Sequence, residues 1–203
     1  MMRPGDHVAA SLRYRAPRVL YDPDLFQLPA RLRAAHATIQ RECAALAAHQ
    51  WIRWPNEVDV VRGSVNVVPL FLQYRPALLP PVAEVEEPAR RVCAATWALL
   101  QPIAVTLVLS RMAPGSHIQT HRDLDGPRHL RCHLGVSVAQ GAWMRIGATR
   151  FAWANGECVV FDPRQEHEVT NDSVAPRTIL IVDFLPSAAE AAAVRTRGLP
   201  LPD

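Results

Sequence analysis

The sequence predicts a mainly β fold, a barrel of short strands with helices on its outside. Three observations carry that expectation. From Ala104 onward, apolar and β-branched runs of strand length are separated by turn signals; Ala104 to Ser110, for example, leads to Ala113-Pro114-Gly115. The run from Arg128 to Val138 sets His129, Arg131 and His133 against Leu130, Cys132 and Leu134, so one face is cationic and the other apolar. The first half carries two amphipathic helical patterns of the kind that pack on a barrel.

In chain order, residues 1–23 are rich in Arg and Pro and read as a flexible or extended arm. From Pro29 to about His49, Leu32, Ala35, Ile39, Cys43 and Leu46 recur at helical spacing, and Pro29 suits a first helical position. Glu57 to Val61 and Ser64 to Tyr74 read as strands, and Leu79-Pro80-Pro81 marks a loop. Pro88 is expected to open a second helix carrying Val92, Trp97, Leu99 and Leu100, with Glu86 and Glu87 near its positive end. Ser116 to Asp123 reads as a strand following Ala104–Ser110. Ser187-Ala-Ala-Glu190 is a capping box for a short C-terminal helix stopped by Gly198. The expected organisation is one domain over residues 1–203. Within it, 1–100 pack on the barrel, 101–186 form the barrel with the site, and 187–198 form the last helix.

The chemistry concentrates between Ser110 and Asp183. His121 and Asp123 form a His-x-Asp pair, and His167 is followed ten positions later by Arg177. In a strand, residues i and i+2 share a face, so His121 and Asp123 point the same way. Two histidines and a carboxylate are the ligand set that holds non-haem Fe(II) while leaving positions open. An arginine beyond the second histidine suits a dicarboxylate co-substrate, because a guanidinium grips a carboxylate with two parallel bonds. Taken alone, a His-x-Asp pair is common by chance, and this one precedes the turn signal Leu124-Asp125-Gly126-Pro127. The His129–His133 alternation fits the interior of a barrel that holds a small anion better than a solvated edge strand, since His and Arg are the residues an anion site needs.

These residues resemble the aspartyl/asparaginyl β-hydroxylase family of 2-oxoglutarate-dependent oxygenases. The resemblance runs from about Val105 to Pro186. It rests on Ser110 to His121, Leu130 to Gly135, Gly141 to Ile146, Trp153 to Asp162, Glu166 to Asn171 and Arg177 to Asp183. It implies a double-stranded β-helix (a jelly-roll, cupin-like barrel) in which His121, Asp123 and His167 bind Fe(II). Ser110 and Arg177 would take the distal carboxylate of 2-oxoglutarate; Arg131 and His133 would lie near the metal end, and Arg131 would also reach substrate. Arg145 matches an arginine of the family pattern and is a candidate substrate contact or a partner for an acidic residue such as Asp162. His129 is a further candidate at the pocket or its mouth. His117 is read as sharing a strand face with His121 without binding metal, and Trp143 and Trp153 as packing residues. Animal aspartyl hydroxylases of the family have glycine where this chain has Asp123. The full triad is like that of bacterial members acting on proline or lipid A.

Composition sets the remaining bounds. The chain has 203 residues, about half of them apolar, and a net charge of +3. Every basic residue apart from histidine is arginine and no basic run occurs, so a nucleic-acid partner is not expected. Cys43, Cys93, Cys132 and Cys158 show no paired spacing, the usage of buried thiols in a reducing compartment. With no apolar run near 18 residues, no membrane association is expected and the location is read as cytoplasmic. The function that follows is an Fe(II)- and 2-oxoglutarate-dependent dioxygenase. It would use O2 to hydroxylate an amino acid, aspartyl, asparaginyl or prolyl in type, free or tethered to a carrier protein. Two rivals stand beside it. A cupin-type metal enzyme that does not use 2-oxoglutarate would have no need of Arg177 and Ser110. A non-enzymatic metal- or anion-binding barrel would leave the cationic interior unexplained.

Overall fold

A computed structural model of the chain describes residues 20–54, 60–73, 80–123 and 129–202. His7, the strand positions 57–59, Tyr74, Leu79 and the turn at 124–128 lie outside them, as does most of the expected arm. Two antiparallel sheets form the body. The larger has seven strands in the order β1 (Leu20–Tyr21), β10 (Cys158–Phe161), β7 (Leu130–Ser137), β12 (Arg177–Phe184), β5 (Ala104–Met112), β4 (Val65–Leu72) and β2 (Ile52–Arg53). The smaller has five: β3 (Val61–Arg62), β6 (His117–His121), β11 (His167–Asn171), β8 (Ala142–Ile146) and β9 (Thr149–Ala152).

From β5 onward the chain crosses from sheet to sheet at every connection but the β8–β9 hairpin, so that β5, β12, β7 and β10 face β6, β11, β8 and β9. That interleaving makes the fold a double-stranded β-helix, the jelly-roll form of an eight-stranded barrel. Strands from the first hundred residues extend it: β4 and β2 widen the larger sheet beyond β5, and β3 borders β6.

The larger sheet is buried on both faces. Outward, Leu107, Leu109, Leu130, Cys132, Leu134, Leu180 and Val182 pack against Leu32, Ile39 and Cys43 of helix α1 (Gln27–Ala45). Inward, Val65, Met112 and Ile179 meet Ile118, Met144, Ile146 and Val169 of the smaller sheet, together with Trp153 and Phe161. Period-two alternation on β5, β7 and β12 is therefore the sorting of two cores.

Helix boundaries depart from expectation in two places. Helix α1 begins at Gln27, so Pro29 is its third residue. There it does no harm, because N–H groups of the first turn have no partner within the helix. Pro80 opens α2 (Pro80–Val92), and Pro88 lies inside it, correcting both the loop expected at 80–81 and the start expected at 88. Pro88 is tolerated because it and Glu84, whose carbonyl loses the i+4 bond, both lie on the exposed face. Glu86 and Glu87 accordingly serve as i,i+4 partners of Arg90 (2.6 Å) and Arg91 (2.7 Å). Helix α3 (Ala94–Leu100) is capped from outside: Glu42 of α1 accepts from the backbone N–H groups of Ala95 and Thr96 and from the Thr96 hydroxyl. The C-terminal capping box is formed, with Ser187 and Glu190 bonding reciprocally at the head of α4 (Ala188–Thr196).

Gly135 shows how tightly the barrel closes. The backbone N–H of Gly135 donates to Glu157, its carbonyl accepts from Gly156, and the Ala154 carbonyl lies where a Cβ would project. Gly135→Ala is expected to destabilise the protein by about 1–3 kcal/mol through overpacking against backbone. Urea unfolding followed by tryptophan fluorescence measures it.

Candidate metal centre

His121 closes β6 and His167 opens β11, and the two are directly paired across the strands. Their rings lie 4.2 Å apart, centroid to centroid. Asp123 is two residues past the end of β6, where its backbone N–H donates to the Pro163 carbonyl. Its Oδ1 is 3.5 Å from His121 Nε2 and 3.9 Å from His167 Nε2. One ligand atom from each of the three residues lies within 4.8 Å of the others, an arrangement able to close on one ion.

The same backbone device orients both rings. His121 Nδ1 is 2.7 Å from the Gln119 carbonyl, and His167 Nδ1 is 2.8 Å from the Gln165 carbonyl. A carbonyl can only accept, so each Nδ1 carries a proton and each ring turns its Nε2 toward the cluster. Burial pushes the His167 pKa down to about 4 against the opposing charge of Asp123, so its ring is neutral at neutral pH. The turn into His167 is built by Asp162, which accepts from the Arg164 N–H at 2.9 Å.

Burial opposes ionisation of Asp123, but the charge of Arg131, with His167 and His121 behind it, outweighs that and holds the carboxyl below the usual range. Arg131 donates from Nη1 to Asp123 Oδ2. On its other edge it grips Asp183 with two bonds, Nε to Oδ1 at 2.7 Å and Nη2 to Oδ2 at 3.0 Å. His129 Nε2 lies 3.1 Å from Asp183 Oδ2. Asp183 is only 2 % exposed; burial works against its ionisation, yet the Arg131 charge and the hydrogen bonds from His129 and Arg131 keep it well below the usual carboxylate range.

Deeper along the same inner face sit Arg177, His133 and Ser110, all buried. Arg177 opens β12 opposite Met112, and its guanidinium lies 4.9 Å from the centre of the Trp153 ring. Ser110 is two residues before Met112 on β5, paired with Ile179. Neither ring nitrogen of His133 has a hydrogen-bond partner among the described residues, nor does the Trp153 indole N–H. Burial, then the charges of Arg131 and Arg177, depress the His133 pKa well below its ordinary value and keep the ring neutral.

A family model described as aspartyl/asparaginyl beta-hydroxylase matches residues 33–186. The chain belongs to that family. Among its relatives is an ornithine lipid ester-linked acyl 2-hydroxylase of Rhizobium tropici, 34% identical over 102 residues, which are 47% of this chain and 35% of that protein. The aspartyl/asparaginyl beta-hydroxylase of Mus musculus is 35% identical over 98 residues, 43% of this chain and 13% of that protein. The matched stretch thus spans about a third or less of these relatives' own length. A Burkholderia pseudomallei oxidoreductase described as of the 2OG-Fe(II) oxygenase family shares 17% identity at a TM-score of 0.47, covering 74% of this chain and 81% of that one. That likeness is distant, and the fold assignment rests on the strand order above.

For this member of the β-hydroxylase family, the structure brings His121, Asp123 and His167 together, with Arg131 attached to Asp123. It leaves Arg145 elsewhere. Arg145 pairs with Glu168 on the face of the smaller sheet opposite His167, at 2.7 Å, with Glu166 at 3.6 Å, and so engages glutamates and not Asp162. His117 also differs from expectation. A β-bulge gives β6 one extra residue between Ile118 and His121, which turns His117 away from His121 and toward Glu168, 3.7 Å away. Asp183 is the residue the sequence reading overlooked. Its signal was present as the last inward position of Arg177, Ile179, Ile181 and Asp183, an acid where a buried strand offers only cost unless a cation waits opposite.

His167→Ala is expected to abolish the rise in melting temperature that Mn(II) gives the native protein. Asp123→Gly should weaken that rise without abolishing it. Equal stabilisation of His167→Ala and native protein by Mn(II) would remove the histidine pair from the metal site.

Proposed function

We propose that the chain is an Fe(II)- and 2-oxoglutarate-dependent hydroxylase of an amino acid, free or tethered to a carrier protein. The observation that carries the reading is the convergence of His121, Asp123 and His167 at one end of a barrel interior that also buries Arg177. The donor set suits the metal: two imidazole nitrogens and one carboxylate oxygen are the ligands of non-haem Fe(II) sites with open positions. The rest of the interior suits the co-substrate. A buried guanidinium, beside a neutral histidine and an indole whose ring nitrogens have no hydrogen-bond partner among the described residues, suits a small dicarboxylate.

When bound, Fe(II) and 2-oxoglutarate would supply the oxidising chemistry that places one oxygen atom of O2 on an unactivated carbon, with succinate and CO2 as by-products. The chain's own residues do the rest. The Gln119 and Gln165 carbonyls hold the two imidazoles in the tautomer that leaves Nε2 free. Arg177, with Ser110 beside it, takes the distal carboxylate of the co-substrate, and neutral His133 donates toward its other end. Phe161, Ile146 and Val169 wall the site with apolar surface and exclude water from it. Arg131 has three of its N–H donors committed to carboxylates of the chain itself, so Arg177 is the cation assigned to 2-oxoglutarate.

Aspartate, asparagine and proline are the first substrate candidates, by family. A second reading, hydroxylation of the acyl chain of an amino-acid lipid, is favoured by the name of the Rhizobium relative. No helix among the described residues is long and apolar enough to cross a membrane, which leaves peripheral access to lipid open. Iron-loaded protein with 2-oxoglutarate is incubated with amino acids free and carrier-bound, and with ornithine lipid. A mass gain of one oxygen on an amino-acid substrate, with stoichiometric succinate, is expected. Oxygen gained by the lipid alone would transfer the substrate assignment to the acyl chain, and absence of succinate with every substrate would return the function to a metal-binding barrel.

Arg177→Met, which keeps most of the buried volume, is expected to raise the apparent KM for 2-oxoglutarate on the order of a hundredfold. That matches the roughly 3 kcal/mol typical of a lost buried charge-assisted contact. Mn(II) affinity should stay near that of the native protein. An unchanged KM would move the co-substrate site away from Arg177.

A further inference from the structure

Asp123 has no secondary structure of its own. It follows the last residue of β6 by two positions and precedes the segment 124–128, yet it must present one oxygen to two histidines. The only side chain hydrogen-bonded to it among the described residues is Arg131, on Oδ2, the oxygen turned away from the histidines. Arg131 in turn is the cross-strand partner of Asp183, and the bidentate pair with that acid fixes the plane of its guanidinium. His129 supports the far side of Asp183. The order His129, Asp183, Arg131, Asp123 therefore runs from β12 and β7, inside the larger sheet, to the loop end that carries the carboxylate.

We infer that Arg131 is a positioning residue, anchored by Asp183, that makes Asp123 a one-oxygen metal ligand. The inference rests on the metal-site reading above and adds to it. An aspartate carboxylate outside a strand has two equivalent oxygens and can rotate, either chelating with both or swinging away. With Oδ2 tied to a fixed guanidinium edge, only Oδ1 faces the histidines, and the position a second oxygen would occupy stays open to a co-ligand. Asp183 matters as much as Arg131. Without it the guanidinium is free to turn its bidentate edge onto Asp123 and compete with the metal for both oxygens. Partners that orient a metal ligand commonly change affinity by ten- to a hundredfold when removed.

The test is a cycle of full-length variants, each titrated with Mn(II) by calorimetry, so that no turnover is needed. Arg131→Met is expected to lower Mn(II) affinity about ten- to a hundredfold, and Asp183→Asn to lower it as well, with Arg131 intact. In the Asp123→Gly background, Arg131→Met should cost little more, because its effect passes through that carboxylate. A merely structural Arg131 would instead cost the same factor in both backgrounds, and that result would overturn the inference. If Arg131→Met does not fold because Asp183 is left buried alone, Arg131→Met with Asp183→Asn removes the uncompensated charge and is measured with and without Asp123→Gly. Failure of the metal-site reading is distinguishable: native protein would then bind Mn(II) no better than Asp123→Gly or His167→Ala.

Discussion

The larger sheet is buried on both faces, and most of what is unusual here follows from that. Its outer face takes ordinary apolar side chains against α1. Its inner face carries Arg131, His133, Arg177 and Asp183. A buried ion costs several kcal/mol in desolvation unless it is paired, so these groups have to answer one another or a ligand. Arg131 and Asp183 do answer one another, directly across β7 and β12. His133 answers by giving up its charge. Arg177 lies against the electron-rich face of Trp153. The end of the interior that holds Arg131 and Asp183 is thus balanced within the sheet itself.

The balanced end lies against the cluster of His121, Asp123 and His167. The chain of charges there is asymmetric: two acids, one arginine and one histidine, with the arginine in the middle. An arginine between two carboxylates is shared, and what it contributes to each depends on the other. The Asp123 contact stands on the rim of the barrel while the Asp183 contact stands on a strand, so the rigid partner sets the geometry of the loose one. Asp123, outside any strand, is ordered through Arg131 by the most buried acid in the sheet.

Much of this could be read from the sequence, and the exceptions have a common cause. The capping box at Ser187 and Glu190, the alternation on β7 and the turn at Ala113-Pro114-Gly115 are local patterns, complete within a few residues. Pro88 was misread because proline is both a helix starter and, on an exposed face, a tolerable interior residue; the pattern alone does not separate the two. The bulge in β6 was invisible because it exists only relative to β11, and it reversed the face assigned to His117. Asp183 needed knowledge of which strand lies beside β12. Periodicity reports which face a residue occupies, and pairing decides what it meets there.

The bulge has a further consequence. His121 and His167 sit on adjacent strands, and among the described residues the seam between those strands is the one place in the smaller sheet where the register slips. A ladder with a slipped register has fewer regular bonds to resist opening. An ion held by His121 and His167 would therefore act as a clasp across the sheet's most irregular seam, joining two strands far apart in the chain. Loss of metal would loosen β6 and its edge neighbour β3 before any other part of the barrel. Backbone amide exchange and proteolytic nicking in β6 and β3 would then report metal occupancy.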